Sequence, residues 1–150
     1  MNTREPATPL ANAAEVQAII RRNVGVASQP VFEVDAIGER HADIRLPYVE
    51  GMTRLGDTIS GPVLMTAADA AMYAAIIAHV PEGEYAVTSH FHIDFLSRPR
   101  AADVLARAHI LRCGKRSVNC RVELFSQDYD TLVAHVSGAY SRMRSATSGA

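Results

Sequence analysis

The sequence has only two cysteines among its 150 residues, almost no net charge and no basic leader. Fifteen Lys and Arg stand against sixteen Asp and Glu, a formal charge of −1. Without a global basic field, we expect neither nucleic acid nor an anionic membrane as partner. Cys113 and Cys120 show no CxxC or Cys/His spacing. A disulfide framework is therefore excluded, and a reducing cytoplasm is the expected location.

A long uninterrupted apolar run is also missing. No segment reaches about 18 consecutive apolar residues, and the N-terminus lacks a basic region followed by an apolar run and cleavage site. The most apolar stretch, residues 62–78, contains Thr66 and Asp69. We therefore predict a buried helix there rather than a membrane span.

Length and composition favour one domain. The chain is 48% hydrophobic, which is enough for a sizeable core in 150 residues but not for two comfortable domains. We predict a single domain over 1–150 with a core at about 30–142. The ends, 1–8 and 144–150, are expected to be disordered.

The periodicity predicts a short helix, a hairpin, a long helix and four strands. A 3.6-residue apolar period indicates the helices and an alternating pattern indicates the strands. One helix that is apolar nearly all round must be covered on most sides, so we predict an α+β fold with a strongly curved antiparallel sheet wrapped around it. The predicted helices are 9–23 and 62–80, the hairpin strands 31–37 and 41–46, the connecting loop 48–59, and the later strands 85–96, 102–112, 117–126 and 131–142.

Asp69 is the one charged residue between positions 62 and 78. The helix face that contains Asp69 also contains mostly apolar residues, so this face does not have the composition of a solvent-exposed surface. A buried carboxylate without partners costs several kcal/mol or becomes protonated, so it is normally compensated or functional. Asp69 is therefore a candidate catalytic residue.

The helix start, Ser60-Gly61-Pro62, presents a second candidate feature. Ser60 or Gly61 is a reasonable N-cap, and Pro62 stands where a missing N–H matters least. The same start leaves free N–H groups and the positive end of the helix dipole, which stabilise an oxyanion. Since Pro62 can donate nothing, the Gly61 N–H is the natural candidate.

These residues carry a family resemblance. The segment SGPVLMTAADAAM, a Pro-Gly turn and then AVTSHFHIDFLSRP resemble the hotdog-fold acyl-CoA thioesterases of the phenylacetate-degradation, PaaI-like group. Their usual pattern is His-Gly-Gly, six residues, an acidic residue in an apolar helix, and a strand ending in Phe-Leu-Arg-Pro or similar. The resemblance covers roughly residues 30–142.

The resemblance implies a hydrolase for an acyl- or aryl-acyl-CoA that needs no metal or organic cofactor. It implies that Asp69 is the general base or nucleophile, that the Gly61 amide forms the oxyanion hole and that Thr88 positions water or the carboxylate. It also implies a homodimer, or a homotetramer of two dimers, with each site between chains. Ser60 stands where the family has its histidine, so any role of that imidazole is lost or passes to a hydroxyl.

Two basic turns are candidate contacts for the phosphates of coenzyme A. Arg and Lys near a site bind such groups well. In related hotdog proteins these turns often lie near the nucleotide. The candidates are Arg98 and Arg100 at one turn, and Arg112, Lys115 and Arg116 at the other.

Alternative readings stay open. The missing histidine favours a module that binds acyl-CoA without hydrolysing it. Asp130 and His135 have the spacing of hotdog enoyl-CoA hydratases but lack the Asn-Pro between them, and the G-x-S-x-G of serine hydrolases is absent.

His90 and His92 could bind metal, but no third ligand is evident apart from Asp94, so we expect no metal site. Strict alternation along this strand predicts one face with Val87, Ser89, Phe91, Ile93 and Phe95, and another with Thr88, His90, His92 and Asp94.

Overall fold

The computed structural model describes residues 8–23 and 31–144. Both ends that were expected to be disordered lie outside this part of the chain, except for Thr8 and Arg144. The helices are α1 (Ala13–Asn23) and α2 (Gly61–His79), with one 3₁₀ turn at Gly83–Tyr85. The strands are β1 (Glu33–Gly38), β2 (His41–Leu46), β3 (Thr53–Arg54), β4 (Thr58–Ile59), β5 (Val87–Phe95), β6 (Val104–Cys113), β7 (Ser117–Ser126) and β8 (Leu132–Ser141).

Six strands form one antiparallel sheet in the order β1-β2-β6-β7-β8-β5. The sheet is wrapped around α2, which packs against β2, β6 and β7 and shares the core with them. The predicted α+β hotdog fold is therefore confirmed. Ten residues of α2 are buried: Leu64, Ala67, Ala68, Ala71, Met72, Ala74, Ala75, Ile76, Ile77 and Ala78.

Helix α2 is also long and apolar enough to cross a membrane by length and composition. The core helix of a soluble protein passes the same test, and α2 lies against the sheet with one acidic residue, Asp69, and one histidine, His79. The small side chains explain the close packing, because six buried alanines let the strands approach the helix backbone.

The first helix begins four residues later than predicted. Asn12 caps it: its Oδ1 accepts the Glu15 N–H at 2.9 Å, and Glu15 Oε1 accepts the Asn12 N–H at 3.2 Å. This reciprocal capping box fixes the helix start at Ala13 and leaves Pro9 in the preceding segment.

The predicted loop 48–59 contains a small hairpin formed by β3 and β4. Its turn holds Gly56 and Asp57 at φ +90° and +53°, and Thr58 bridges to Arg100. Two-residue strands carry too little alternation to be seen in a sequence. The hairpin places Arg54 beside the beginning of α2.

Strand β5 lies at an edge of the sheet. It pairs with β8 on one side, and its other side has no neighbouring strand among the described residues. Val87 is 52% exposed and Phe95 is 55% exposed. An open, partly apolar edge of nine residues is a ready surface for another strand.

Candidate active site

Asp69 lies half-buried in the middle of α2, where one of its carboxylate oxygens is held by two hydroxyls. Thr88 Oγ1 donates to Asp69 Oδ1 at 2.8 Å, and the Tyr140 hydroxyl donates to the same oxygen at 2.7 Å. Within residues 8–23 and 31–144, no hydrogen bond reaches Oδ2. The carboxylate therefore has one anchored oxygen and one that is available.

A β-bulge brings Thr88 to Asp69. The register between β5 and β8 shifts between Thr88 and His90, so that Thr88 pairs with Tyr140 while His90 pairs with Ala139. The extra residue, Ser89, turns Thr88 to the same side as Phe91, and the two line one cavity. The strict alternation, which put these two residues on opposite faces, is wrong at this point.

Tyr140 is a site residue that the sequence analysis missed. It lies on β8, 4% exposed, and its hydroxyl also lies 3.1 Å from the Asp69 carbonyl oxygen. Burial, and then the nearby Asp69 charge, raise the pKa of the Tyr140 phenol well above its ordinary value. The hydroxyl therefore stays protonated as a donor. Apart from an aromatic in a late strand, the sequence holds no signal of this contact.

A cavity of about 330 Å³ opens beside Asp69. Its other walls are one threonine from each of α2 and β5 and two large apolar side chains, and it is open to solvent in the single chain. The lining combines one charged group with apolar surface, as in sites that bind a mostly apolar ligand near a reactive group. The walls are Met65, Thr66, Asp69, Thr88 and Phe91.

Gly61 is the first residue of α2, after Ser60 as N-cap in extended conformation. The Ser60 side chain makes no capping hydrogen bond, and Pro62 follows in the first turn. In the part of the chain that the structure describes, the Gly61 N–H has no acceptor. A Cβ at this position would lie 3.2 Å from Phe95 Cζ, so a side chain here would crowd the ring. This free amide at a helix N-terminus can stabilise negative charge.

A larger cavity, about 550 Å³, opens at Gly61. Arg54 and Arg98 line it together with Phe95 and Leu96. A second cavity of about 410 Å³, which shares Ser97 and Arg98 with the first, reaches Arg100 and residues 126–133. Arg98 and Arg100 thus lie at the Gly61 end of the molecule, as does Arg54, which the sequence analysis did not select.

Gly61 and Asp69 line different cavities. They stand eight residues apart on one helix. At 1.5 Å of rise per residue that is about 12 Å along the axis, too far to act on one carbonyl group. The two groups that the sequence suggested as one site are therefore not brought together within a single chain.

The other basic turn lies elsewhere. Arg112 at the end of β6, and Lys115 and Arg116 in the turn to β7, are exposed near the strand ends that contain Val118 and Tyr140. Of the described residues that line the cavities at Gly61 and Asp69, none belongs to this turn.

The remaining candidate groups are not assembled into sites. His92 Nε2 lies 3.1 Å from Asp94 Oδ1, on the face opposite Thr88 and Phe91. Among the described residues there is no group of three or more His, Cys, Asp or Glu side chains that could hold a metal ion. Asp130 lines the cavity at Arg100, whereas His135 is not in its wall and pairs across the sheet with Asp94 and Glu123.

Comparison with known proteins gives one family and several similar structures. The model of the thioesterase superfamily matches residues 56–133. A protein from a Silicibacter species, described as a candidate thioesterase, is 28% identical with a TM-score of 0.80, over 90% of this chain and 94% of that one. No curated protein gives a significant sequence match.

The similar structures include two that carry the name PaaI. A point variant of the phenylacetic acid degradation protein PaaI from Thermus thermophilus is 26% identical with a TM-score of 0.65, over 75% of this chain and 93% of that one. PaaI from E. coli, of the phenylacetic acid degradation operon, is 22% identical with a TM-score of 0.74, over 88% and 94%. At that identity the E. coli protein supports the fold alone.

Proposed function

The chain belongs to the thioesterase superfamily, and from that premise we propose that it hydrolyses acyl- or aryl-acyl-CoA thioesters to a free acid and coenzyme A. One observation carries the proposal. The single carboxylate of an otherwise uncharged run in α2 lines a partly apolar cavity and is held through Oδ1, while no hydrogen bond from the described residues reaches Oδ2. Such an arrangement is suited to proton transfer or attack beside an acyl group.

The reaction needs one proton acceptor and one group that stabilises an oxyanion. In the general-base route, Asp69 takes a proton from water as the water oxygen bonds to the thioester carbonyl carbon. The C–S bond then breaks, and the proton passes to the sulfur of the leaving thiolate. In the nucleophilic route, Asp69 bonds to the carbonyl carbon and the C–S bond breaks, which leaves an acyl anhydride and the coenzyme A thiolate. Water then hydrolyses the anhydride, which frees the acid and the Asp69 carboxylate and supplies the proton for the thiolate. Both routes yield the same products and need no metal or organic cofactor.

The Gly61 N–H is the proposed oxyanion-hole donor. It is unpartnered within the described residues, at the positive end of a 19-residue helix, so it can bind the carbonyl oxygen more strongly as negative charge develops there. Because Gly61 has no side chain, the substrate carbonyl can approach the backbone closely.

The separation of Gly61 from Asp69 requires a second chain. A twofold axis through the free edge of β5 would pair two β5 strands antiparallel. The Thr88 end of one strand would then lie near the Phe95 end of the other, which brings Asp69 of one chain toward Gly61 of its partner. We therefore propose a homodimer with two sites at its interface, and dimers that pair further into a tetramer.

The exposed surface supports this edge as the interface. Phe95, Leu96 and Met65 are 55%, 54% and 39% exposed in the single chain. They border the cavities at Gly61 and Asp69. Association would bury this apolar surface and close both cavities from water.

The coenzyme A phosphates are assigned to the Gly61 end. Arg98 and Arg100 line cavities that continue from Gly61 and are exposed, so their guanidinium groups are free to reach phosphates. Arg54 extends the same basic surface. Arg112, Lys115 and Arg116 stay a second candidate set, which a partner chain would have to bring to the nucleotide. Cys120 is a buried thiol that forms no disulfide, in keeping with the proposed cytoplasmic location.

The test is release of free thiol from a panel of short, medium and aromatic acyl-CoA substrates. Wild-type protein should release coenzyme A from at least one of them, and Asp69→Asn should bind that substrate with little loss of affinity but release thiol far more slowly. Thiol release by Asp69→Asn at the wild-type rate would overturn the assignment.

One alternative has an observation in its favour. Ser60 replaces the family's histidine, and its hydroxyl makes no capping bond and lines neither cavity. A protein that binds acyl-CoA without hydrolysing it would show saturable binding and no thiol release with every substrate in the panel.

A further inference from the structure

We propose that Tyr140 is a positioning residue, one that holds the Asp69 carboxylate in its reactive orientation. This proposal rests on the proposed function, because it concerns the carboxylate that acts in that reaction. Tyr140 lies on β8, outside the segments that suggested the site from the sequence.

The contact is short and shared. The Tyr140 hydroxyl and Thr88 Oγ1 approach Asp69 Oδ1 at 2.7 and 2.8 Å. Thr88 and Tyr140 are direct partners in the antiparallel pairing of β5 with β8, so two neighbouring strands present their hydroxyls to the same oxygen. Two donors on Oδ1 oppose rotation of the carboxylate and leave Oδ2 without a hydrogen bond from the described residues.

The Tyr140 ring is itself fixed. It is 4% exposed and stacks on Tyr73, with ring centroids 6.1 Å apart and planes inclined by 11°. The Tyr73 hydroxyl points away from this contact and donates to the Glu84 carbonyl oxygen at 2.8 Å, so the support for Tyr140 comes from the Tyr73 ring and not from its hydroxyl. The Tyr140 ring on the sheet therefore packs against the Tyr73 ring on α2, and its hydroxyl cannot turn away from Asp69 without disturbing the core.

The hydroxyl is also a permanent donor. Because burial and the Asp69 charge both raise the pKa of Tyr140, the phenol does not ionise in the range where the protein is folded and active. A donor that never loses its proton favours the charged form of the carboxylate, which is the form that a base or nucleophile needs.

The first experiment compares Tyr140→Phe with Tyr73→Phe. Both substitutions remove one hydroxyl and keep the stacked rings, but the Tyr140 hydroxyl alone of the two contacts Asp69. For Tyr140→Phe we expect kcat to fall roughly 10-fold to 100-fold with KM changed less than about 3-fold, as for the loss of a hydrogen bond to a charged group. Tyr73→Phe should keep the wild-type kcat.

The second readout is the pH dependence. Without the Tyr140 donor the carboxylate holds its proton more tightly, so the acidic limb of the kcat profile should move to higher pH in Tyr140→Phe. Fluorotyrosine at position 140 keeps the shape but donates more strongly, so it should move the limb to lower pH. This second variant preserves the test if Tyr140→Phe folds poorly.

Failure of the proposed function is distinguishable from failure of this inference. If the wild-type protein hydrolyses no acyl-CoA, NMR titration of the Asp69 carboxyl carbon still reports the contact. A titration midpoint displaced upward in Tyr140→Phe and downward with fluorotyrosine would support the positioning role. An unchanged midpoint, or equal loss of kcat in Tyr73→Phe and Tyr140→Phe, would overturn it.

Discussion

Gly61 and Asp69 stand on the same helix, eight residues apart, and face two separate cavities. One chain thus holds both the amide that we propose for the oxyanion hole and the carboxylate that we propose as base or nucleophile, about 12 Å apart along the helix axis. Catalysis by this pair requires that the two groups come from different chains. The open edge of β5 is the part of the described sheet that allows such an exchange.

Replacing the carboxylate is the first prediction. Asp69→Asn keeps the size of the side chain but removes the proposed base or nucleophile, so kcat should fall by roughly 100-fold or more. The fold should persist, because an amide can still accept from Thr88 and Tyr140. Thiol release and thermal unfolding check the two parts. If Asp69→Asn fails to fold, Thr88→Val is the substitute variant, because it removes one donor to Asp69 Oδ1 and should lower kcat while the carboxylate stays in place.

The arginines at the Gly61 end should govern affinity for the nucleotide. Arg98→Gln and Arg100→Gln should each raise KM for acyl-CoA about 10-fold or more, the cost of a lost charge-assisted hydrogen bond, with little change in kcat. The KM for a pantetheine thioester, which lacks the nucleotide phosphates, should be the same in these variants as in the wild type. Arg112→Gln is the control and should leave KM close to the wild-type value. If it raises KM more than Arg98→Gln and Arg100→Gln do, the phosphates bind at the turn between β6 and β7 instead.

Stability should fall on the acid side through His109. Burial, and then the nearby Arg121, lower the pKa of His109, although Glu123 at 3.5 Å opposes this. The unfolded chain then binds a proton more readily than the folded one. The contribution of His109 to the free energy of unfolding is therefore complete above the ordinary histidine pKa of about 6.5, and it is lost as pH falls below that value.

Denaturant unfolding at about pH 7.5 and about pH 5 measures this effect. His109→Gln should reduce the difference in unfolding free energy between the two pH values. An unchanged difference in His109→Gln would assign the acid sensitivity to other groups.

Cys120 should be inert in the folded protein. It is 1% exposed, and burial raises the pKa of its thiol to about 12. Since the thiolate is the reactive species, an alkylating reagent at about pH 8 should modify Cys120 only after unfolding. Peptide mapping of native and denatured samples tests this, and rapid native labelling would contradict the packing of β7 against α2.

The architecture could be predicted from the sequence because its pattern is local. Alternation over β6, β7 and β8 and the long apolar run of α2 fix the element types, and one all-round apolar helix requires a wrapped sheet. The short hairpin of β3 and β4 could not be found, because two residues carry no period. The residues of the capping box, Asn12 and Glu15, have the right spacing in the sequence, but the sequence analysis did not select them and placed the helix start at Pro9.

The site was predictable in part. Asp69, Gly61 and Thr88 came from local pattern and from resemblance, whereas Tyr140 reaches Asp69 across 71 positions of sequence. The bulge at Ser89 also has no sequence signature here, so the side of the strand that Thr88 occupies could not be deduced. The distance between Gly61 and Asp69, by contrast, follows directly from helix rise.

Mixed dimers test the central claim most directly. Gly61→Pro removes the proposed oxyanion donor at a helix position that tolerates proline. Gly61→Ala keeps the N–H but adds a methyl group beside Phe95, so it measures the cost of the added bulk alone. Asp69→Asn and Gly61→Pro should each be inactive alone. If sites are shared, random mixing of equal amounts restores about a quarter of wild-type activity, since half of the dimers regain one of two sites. Mixtures no more active than the separate variants would contradict a site shared between chains.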